Sequence, residues 1–305
     1  MSQITGRQIE SVEPGSAAWL ETISASKIPA ILGISPWQSP YSLWHQMKGT
    51  IGRTEETNET RRGHYLEPAV AAWFADQHPN FHVTEGGSWA HEAKDTWTAA
   101  PDRIASDILI DGGPEVFYGV EIKSAAYADE WGKPGTAEIP PYYLAQVAWQ
   151  MNVLGVDRIY VPIITGFLEF REYVVNREDI AGDLAIIERA VLAFEQSLAD
   201  NKPPALDGSD ATYQTVRKLH PDIDGEVVEL DGVKAWHFIN AKNALDAVQA
   251  EYDTAKNRIA DLMGNAKKAT WDGHTIFTRQ SRGGGTPYLV AAKKLPTTTT
   301  EQVAA

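Results

Sequence analysis

The chain contains no cysteine, which excludes disulfides, thiolate zinc sites and cysteine-held iron–sulfur clusters. No apolar run approaches the ~18 residues that a membrane-crossing helix needs. The opening MSQITGRQIESVEPG has neither a basic start nor an apolar stretch of the secretory kind. The expectation from these absences is a soluble, cytoplasmic protein with no membrane partner. Basic residues are scarce as well: 27 Lys and Arg stand against 41 Asp and Glu, a formal charge of −14. A balance of that sign ordinarily argues against nucleic acid, because phosphate contacts come from Lys and Arg. The shortage is uneven, however. Residues 1–205 hold 15 basic against 28 acidic residues, a net of −13, whereas residues 256–294 hold eight basic residues against Asp261 and Asp272, a local +6. What the chain has in quantity is aromatic: ten Trp, eleven Tyr and eight Phe within a 43% hydrophobic composition. That is enough for a packed core, and 305 residues allow one large domain or a core of about 200 residues with an appendage.

Punctuation by Pro and Gly lays out the elements. A short helix is expected from Ser26, its cap, to Gly33, and a second from Ser39 through Pro40 to Gly49. Residues 50–63 read as a polar connector, followed by a helix from about Leu66 to Gln77 with Leu66, Val70, Trp73 and Phe74 on one stripe. Trp97–Ile110 and Val116–Ser124 read as central strands joined by the turn Asp111-Gly-Gly-Pro114. A helix over Tyr142–Leu154, a strand pair Arg158–Ile164 and Leu168–Val175, and a helix over Asp179–Asp200 complete a core, closed by the linker 201–205. Beyond it, Phe238, Ala241, Leu245, Val248, Tyr252, Ala255, Ile259 and Leu262 alternate at spacings of three and four, a heptad seam on a long helix. Asp272-Gly273 marks a hairpin, and LPTTTTEQVAA a disordered tail. The expected units are therefore 1–205, 206–295 and 296–305.

The segment YGVEIKSAA, residues 118–126, is an otherwise apolar strand that carries Glu121 and Lys123 on one face, with Val120 and Ile122 on the other. An isolated pair of this kind is commonly a solvated ion pair on an edge strand. Here, folding the hairpin about its turn brings Asp102 roughly opposite Lys123, with Glu121 on the diagonal. Two carboxylates beside one lysine on a buried strand are expensive unless a cation neutralises them, and a hard divalent ion such as Mg²⁺ takes oxygen ligands of this kind. A lysine beside such an ion can orient or help deprotonate a water that attacks a phosphodiester.

The pattern APD (100–102) followed by EIK (121–123) resembles the PD-(D/E)xK nuclease signature. GHYLEPAVAAWF resembles that superfamily's preceding helix, whose glutamate would be Glu67, and YYLAQVAWQMNVLG its QxxxQ helix, with Gln146 and Gln150 one turn apart. ISASKIPAILGISPWQSPYSLWHQMKG resembles the N-terminal helices of the YqaJ-type viral recombinase family, relatives of the lambda-type phage exonuclease. The resemblance covers about residues 16–200. It implies an α/β restriction-endonuclease-like core with a mixed central sheet flanked by helices, followed here by a helical arm and a small β-hairpin. It implies Asp102, Glu121 and the Ile122 carbonyl as metal ligands, Glu67 completing the site or holding a second ion, Lys123 positioning the water, and Gln146 and Gln150 supporting Lys123 or touching phosphate. One or two Mg²⁺ ions per site are expected, with Mn²⁺ as a substitute. The chain departs from the pattern in having Arg103 where Gly commonly follows the aspartate, and Trp19 where the lambda-type enzyme has its 5′-phosphate arginine.

The resulting expectation is an Mg²⁺-dependent exonuclease that resects double-strand DNA ends from the 5′ terminus for recombination. Its expected partners are DNA ends, a single-strand annealing protein and other copies of itself, arranged as a ring in the lambda-type manner. Ser26, Arg103, Lys267, Lys268, Arg279 and Arg282 are the candidate DNA contacts. The rivals are an endonuclease on the same core, a non-catalytic DNA-binding or scaffold protein, and an adaptor built around the heptad arm. The basic segment either grips phosphate or, as the regular seam favours, belongs to an oligomerising or partner-binding element.

Overall fold

The computed structural model describes residues 4–12, 15–52, 57–107 and 115–296. The chain divides into two compact units, Met1–Ile223 and Asp224–Ala305. The first is built on a mixed sheet in the order Phe170–Asn176, Arg158–Thr165, Phe117–Val120, Arg103–Asp107, Phe81–Glu85, and Lys123–Ala125 also pairs with Arg158–Thr165. The strand Phe117–Val120 lies mid-sheet, parallel to Arg158–Thr165 and antiparallel to Arg103–Asp107. The α/β class with a mixed central sheet flanked by helices is as the sequence implies.

Each face of the sheet has its own apolar layer. On one, Val70, Ala71 and Phe74 of the helix Asn58–Gln77 pack with Ala105, Val120, Ile122, Tyr160 and Ile164. On the other, the helix Pro141–Leu154 contributes Ala145, Val147, Ala148, Trp149 and Met151 to a cluster with Ile104, Ile159, Val161 and Ile163. This alternation of Val120 and Ile122 to one side and Glu121 to the other is that of a strand buried on both faces.

One irregularity matters. The parallel register pairs Val120 with Tyr160 and Lys123 with Ile163, so residue 162 falls beside residue 122. Residue 162 is proline, and the Glu121 N–H donates to the Tyr160 carbonyl at 2.9 Å. The next ladder bond in a parallel pair would come from the N–H of residue 162, which proline lacks. The strand accordingly breaks at Glu121 and Ile122.

Several boundaries differ from the sequence reading. The helix expected from Leu66 starts at Asn58, capped by the Thr57 hydroxyl, and runs through Pro68. Pro68 suggests a helix start from sequence, but here it lies in the interior of a helix held by its packing. Ser26 caps no helix; it lies in the 3₁₀ turn Ala25–Lys27, its hydroxyl 3.1 Å from that of Ser24. Trp97–Ile110 is not one strand: Lys94–Ala99 belongs to a second sheet, and the chain changes sheet across Ala100, Pro101 and Asp102. The turn 111–114 lies outside the described residues. Past residue 205, the helix Asp210–Leu219 still belongs to the first unit, with Thr212 donating to the buried Ser39 hydroxyl at 2.7 Å.

The second unit carries the expected long helix, Gly232–Met263, and then three strands, Lys268–Trp271, His274–Gln280 and Tyr288–Ala291, in place of a two-stranded hairpin. Asp272 and Gly273 take φ of 47° and 75°, the left-handed pair that an Asp-Gly hairpin turn demands. Of the expected tail, residues 297–305 lie outside the described residues.

Candidate active site

The break in the central strand and the sheet change at Pro101–Asp102 occur side by side. The antiparallel register pairs Arg103 with Val120 and Ile104 with Gly119. Continued one step, it sets Asp102 opposite Glu121, not opposite Lys123 as the sequence suggested. The offset is two residues, so Asp102, Glu121 and Lys123 still share a face. The Ile122 N–H, with no strand beyond Arg103 to accept it, donates to Asp102 Oδ2 at 2.6 Å.

Glu121 is 3% exposed and receives three donors. Lys123 Nζ and Gln146 Nε2, the latter at 2.5 Å, reach Oε1, while Gln150 Nε2 reaches Oε2 at 2.7 Å. Gln146 and Gln150, one turn apart, thus both aim at the carboxylate. Gln150 is fully buried, and its Oε1 has no hydrogen-bond partner among the described residues. Asp102 has no such set of donors. Desolvation, and then the Glu121 charge, push its carboxyl up to about 8, against the opposing pull of Lys123 and the Ile122 N–H. Burial pushes the Lys123 ammonium toward neutrality, but Glu121 and Asp102 outweigh it and hold its pKa above the ordinary lysine value. Lys123 is therefore a cation at neutral pH. Its ammonium also lies 5.0 Å from the centre of the Tyr143 ring.

Glu67 approaches this cluster from the other layer, close enough for its charge to add to the upward push on the Asp102 carboxyl. Its carboxylate accepts from Arg103 Nη1 at 2.8 Å, and Arg103 also meets Glu85 at 3.1 Å and the Asp102 carbonyl at 2.6 Å. The sheet explains the difference of layer: Arg103 alternates with Asp102, and points toward the layer from which the helix Asn58–Gln77 presents Glu67. The expected DNA contact Arg103 is thus engaged with two carboxylates. In the second unit, strand alternation puts Lys267 and Arg279 on one face of the small sheet and Lys268 on the other, with Arg282 past the strand end, so these four do not form one basic face.

Two features of the site had no clear signal in the sequence. One is Pro162, which breaks the ladder beside Ile122. The other is Gly86, whose N–H donates to the Asp102 carbonyl at 3.1 Å and where a Cβ would come within 1.8 Å of the Pro101 carbonyl oxygen.

Among the described residues, no three acidic or imidazole side chains converge closely enough to hold a metal ion. Asp102 and Glu121 remain as a pair of hard oxygen donors on one face. Mg²⁺ suits such a pair, because it commonly uses one or two carboxylates and completes its shell with water and substrate phosphate.

Comparison with known proteins agrees with the sequence resemblance. Residues 17–157 match the model of the YqaJ-like viral recombinase domain. The chain is 23% identical over 252 residues to the Bacillus subtilis (strain 168) protein called Uncharacterized protein YqaJ, covering 80% of this chain and 76% of that one. An alkaline exonuclease from Laribacter hongkongensis superposes with a TM-score of 0.47 at 23% identity, over 62% of this chain and 94% of its own. The crystal structure of LHK-Exo in complex with dAMP gives 0.46 at 23% identity, over 61% and 91%. Glu67, Asp102, Glu121, Lys123, Gln146 and Gln150 all lie within the span, residues 17–157, that is similar to the YqaJ-like viral recombinase domain.

Proposed function

We propose that the protein is a metal-dependent DNA nuclease that degrades duplex from its ends, most simply in the 5′-to-3′ direction, to prepare single strands for recombination. The observation that carries this reading is the convergence of Asp102, Glu121 and Lys123 at the strand break, braced by Gln146 and Gln150, inside the recombinase-like domain. Asp102 and Glu121 would hold Mg²⁺ or Mn²⁺, with the Ile122 carbonyl as a further oxygen ligand and Glu67, whose Oε1 accepts from Arg103, completing the site or holding a second ion. The ion would stabilise charge developing on the scissile phosphate and lower the pKa of an attacking water.

The residues of the chain divide the remaining work. Gln146 and Gln150 fix the Glu121 carboxylate in one orientation. Lys123, held in place by Glu121, would orient the water or the non-bridging phosphate oxygen. Exonuclease action, recombination, an annealing-protein partner and a homo-oligomer are extensions supported by the domain match, not by the carboxylate–lysine geometry. That geometry serves an endonuclease equally well.

The deciding experiment supplies linear and covalently closed circular duplex with Mg²⁺. Linear DNA is expected to disappear progressively while circles persist. Rapid nicking of circles would replace the exonuclease reading by the endonuclease one, and no metal-dependent loss of either would sustain the non-catalytic alternative. The same assay reads the backbone contact beneath Asp102. Gly86→Ala must displace the Pro101–Asp102 segment, and a misplacement of about 1 Å commonly lowers a rate by about 10²-fold. That loss is expected with far-UV circular dichroism unchanged; an undiminished rate would mean that Asp102 needs no fixed position.

A further inference from the structure

A column of aromatic rings leads from the core of the first unit to its surface beside Lys123. Tyr173, fully buried, lies 5.0 Å from Trp131, and Trp131 lies 5.6 Å from Tyr143. Tyr143 contacts Tyr142 at 4.5 Å, and Tyr142 meets Trp37 edge-on at 5.2 Å. Trp37 ends the column at 66% exposure. An indole that open contributes little to folding through its own burial, yet the backbone that carries it is fixed and its ring rests on Tyr142. The Ser35 hydroxyl accepts from the N–H groups of Trp37 and Gln38, each at 3.2 Å, and the Gln38 side chain donates to Gln46 at 2.6 Å. Tyr142 is likewise held, its hydroxyl donating to Glu130 at 2.9 Å.

The position of this surface suggests its ligand. Trp37 also contacts Tyr143 at 6.3 Å, and the Tyr143 ring lies beside the Lys123 ammonium, so the exposed indole is two contacts from the proposed reacting centre. A strand whose phosphate reaches Lys123 and runs toward Tyr143 brings a neighbouring base to Trp37. Residues 1–205 carry a net −13, and this part of the molecule is poorly equipped to hold a polyanion by phosphate contacts. Stacking of bases on aromatic rings supplies affinity that does not depend on positive charge and tolerates any sequence. We propose that Trp37, braced by Tyr142, is a stacking platform for an unpaired nucleobase of the substrate strand next to the active site. The proposal rests on the nuclease reading for the identity of the ligand, and Trp37 acts in it as a positioning residue.

Binding without turnover separates the two. In EDTA, fluorescence anisotropy with a labelled single-stranded oligothymidylate is measured for the wild type, Trp37→Ala and Trp37→Phe, beside an oligonucleotide of the same length whose internal positions are abasic. Base–aromatic stacking is worth about 1–3 kcal/mol per base, so Trp37→Ala should weaken binding of the oligothymidylate about tenfold. Trp37→Phe should recover most of that loss, and the wild type should bind the abasic strand about as weakly as Trp37→Ala binds the intact one. With Mg²⁺ and duplex ends, Trp37→Ala should raise KM by a similar factor. Equal affinity of wild type and Trp37→Ala for the oligothymidylate, or indifference of the wild type to the loss of bases, overturns the platform even if hydrolysis proceeds. Trp37-dependent and base-dependent binding in a protein that never cleaves DNA would keep the platform and overturn the nuclease instead.

Discussion

Lys123→Ala is expected to abolish DNA hydrolysis while leaving the fold and Mn²⁺ binding in place. The side chain donates to Glu121 but supplies no oxygen to an ion, and the packing of its strand comes from Val120 and Ile122 in the opposite layer. Gln146 and Gln150 still hold the Glu121 carboxylate when the lysine is gone. Removal of the ammonium even makes the pocket more negative, so a divalent cation should bind at least as tightly as in the wild type. The rate should fall by about 10²–10⁴-fold, the range associated with a single positioned polar group in catalysis. Isothermal titration with Mn²⁺ beside a duplex degradation assay reads both quantities. Glu121→Ala, by contrast, should lose the metal as well as the rate. Full hydrolysis by Lys123→Ala, or wild-type Mn²⁺ affinity in Glu121→Ala, would contradict the roles given to these residues.

Much of the cluster was legible in the sequence because strand alternation is insensitive to small errors of register. Folding the hairpin about residues 111–114 misplaced Asp102 by two positions, and a shift of two returns every side chain to the same face. The helical spacing of Gln146 and Gln150 was equally robust, since one turn separates them whatever the helix packs on. The partner of Glu67 was less legible. Its surroundings depend on which layer covers which face, and Arg103, one residue beyond Asp102, takes the opposite face and the glutamate with it. The break at Glu121–Ile122 likewise follows from Pro162, forty residues distant in sequence and adjacent only through the parallel pairing. The helix Asp210–Leu219 was hidden for another reason. Its anchor on the first unit includes a hydroxyl pair, Thr212 with Ser39, and its buried positions Thr212 and Thr215 are polar residues that do not mark a core face.

Asp102→Asn is expected to stabilise the metal-free protein and to remove its activity. The carboxyl group of Asp102 is desolvated beside Glu121, and its pKa is raised from 3.8 to about 8. A carboxyl whose folded pKa lies above its unfolded one favours the fold most fully below pH 3.8, and that contribution is lost as pH rises through about 8. The wild type in EDTA should therefore lose thermal stability across that window. The amide keeps an acceptor for the Ile122 N–H and carries no charge at any pH, so the variant should lose less. At pH 8 it should melt higher, by about 2–4 °C for each kcal/mol of relieved repulsion. A divalent cation held by Asp102 and Glu121 would reverse the order, because it would neutralise the two carboxylates and displace the proton from Asp102. At a hundredfold excess over its dissociation constant the ion adds about 2.7 kcal/mol to the wild type by mass action and little to a variant that binds it poorly. Melting curves of both proteins with EDTA and with Mn²⁺, at pH 5 and pH 8, test this directly. A variant that melts below the wild type in EDTA at pH 8, or gains as much from Mn²⁺, would show that Asp102 is a structural carboxylate and place the cation elsewhere.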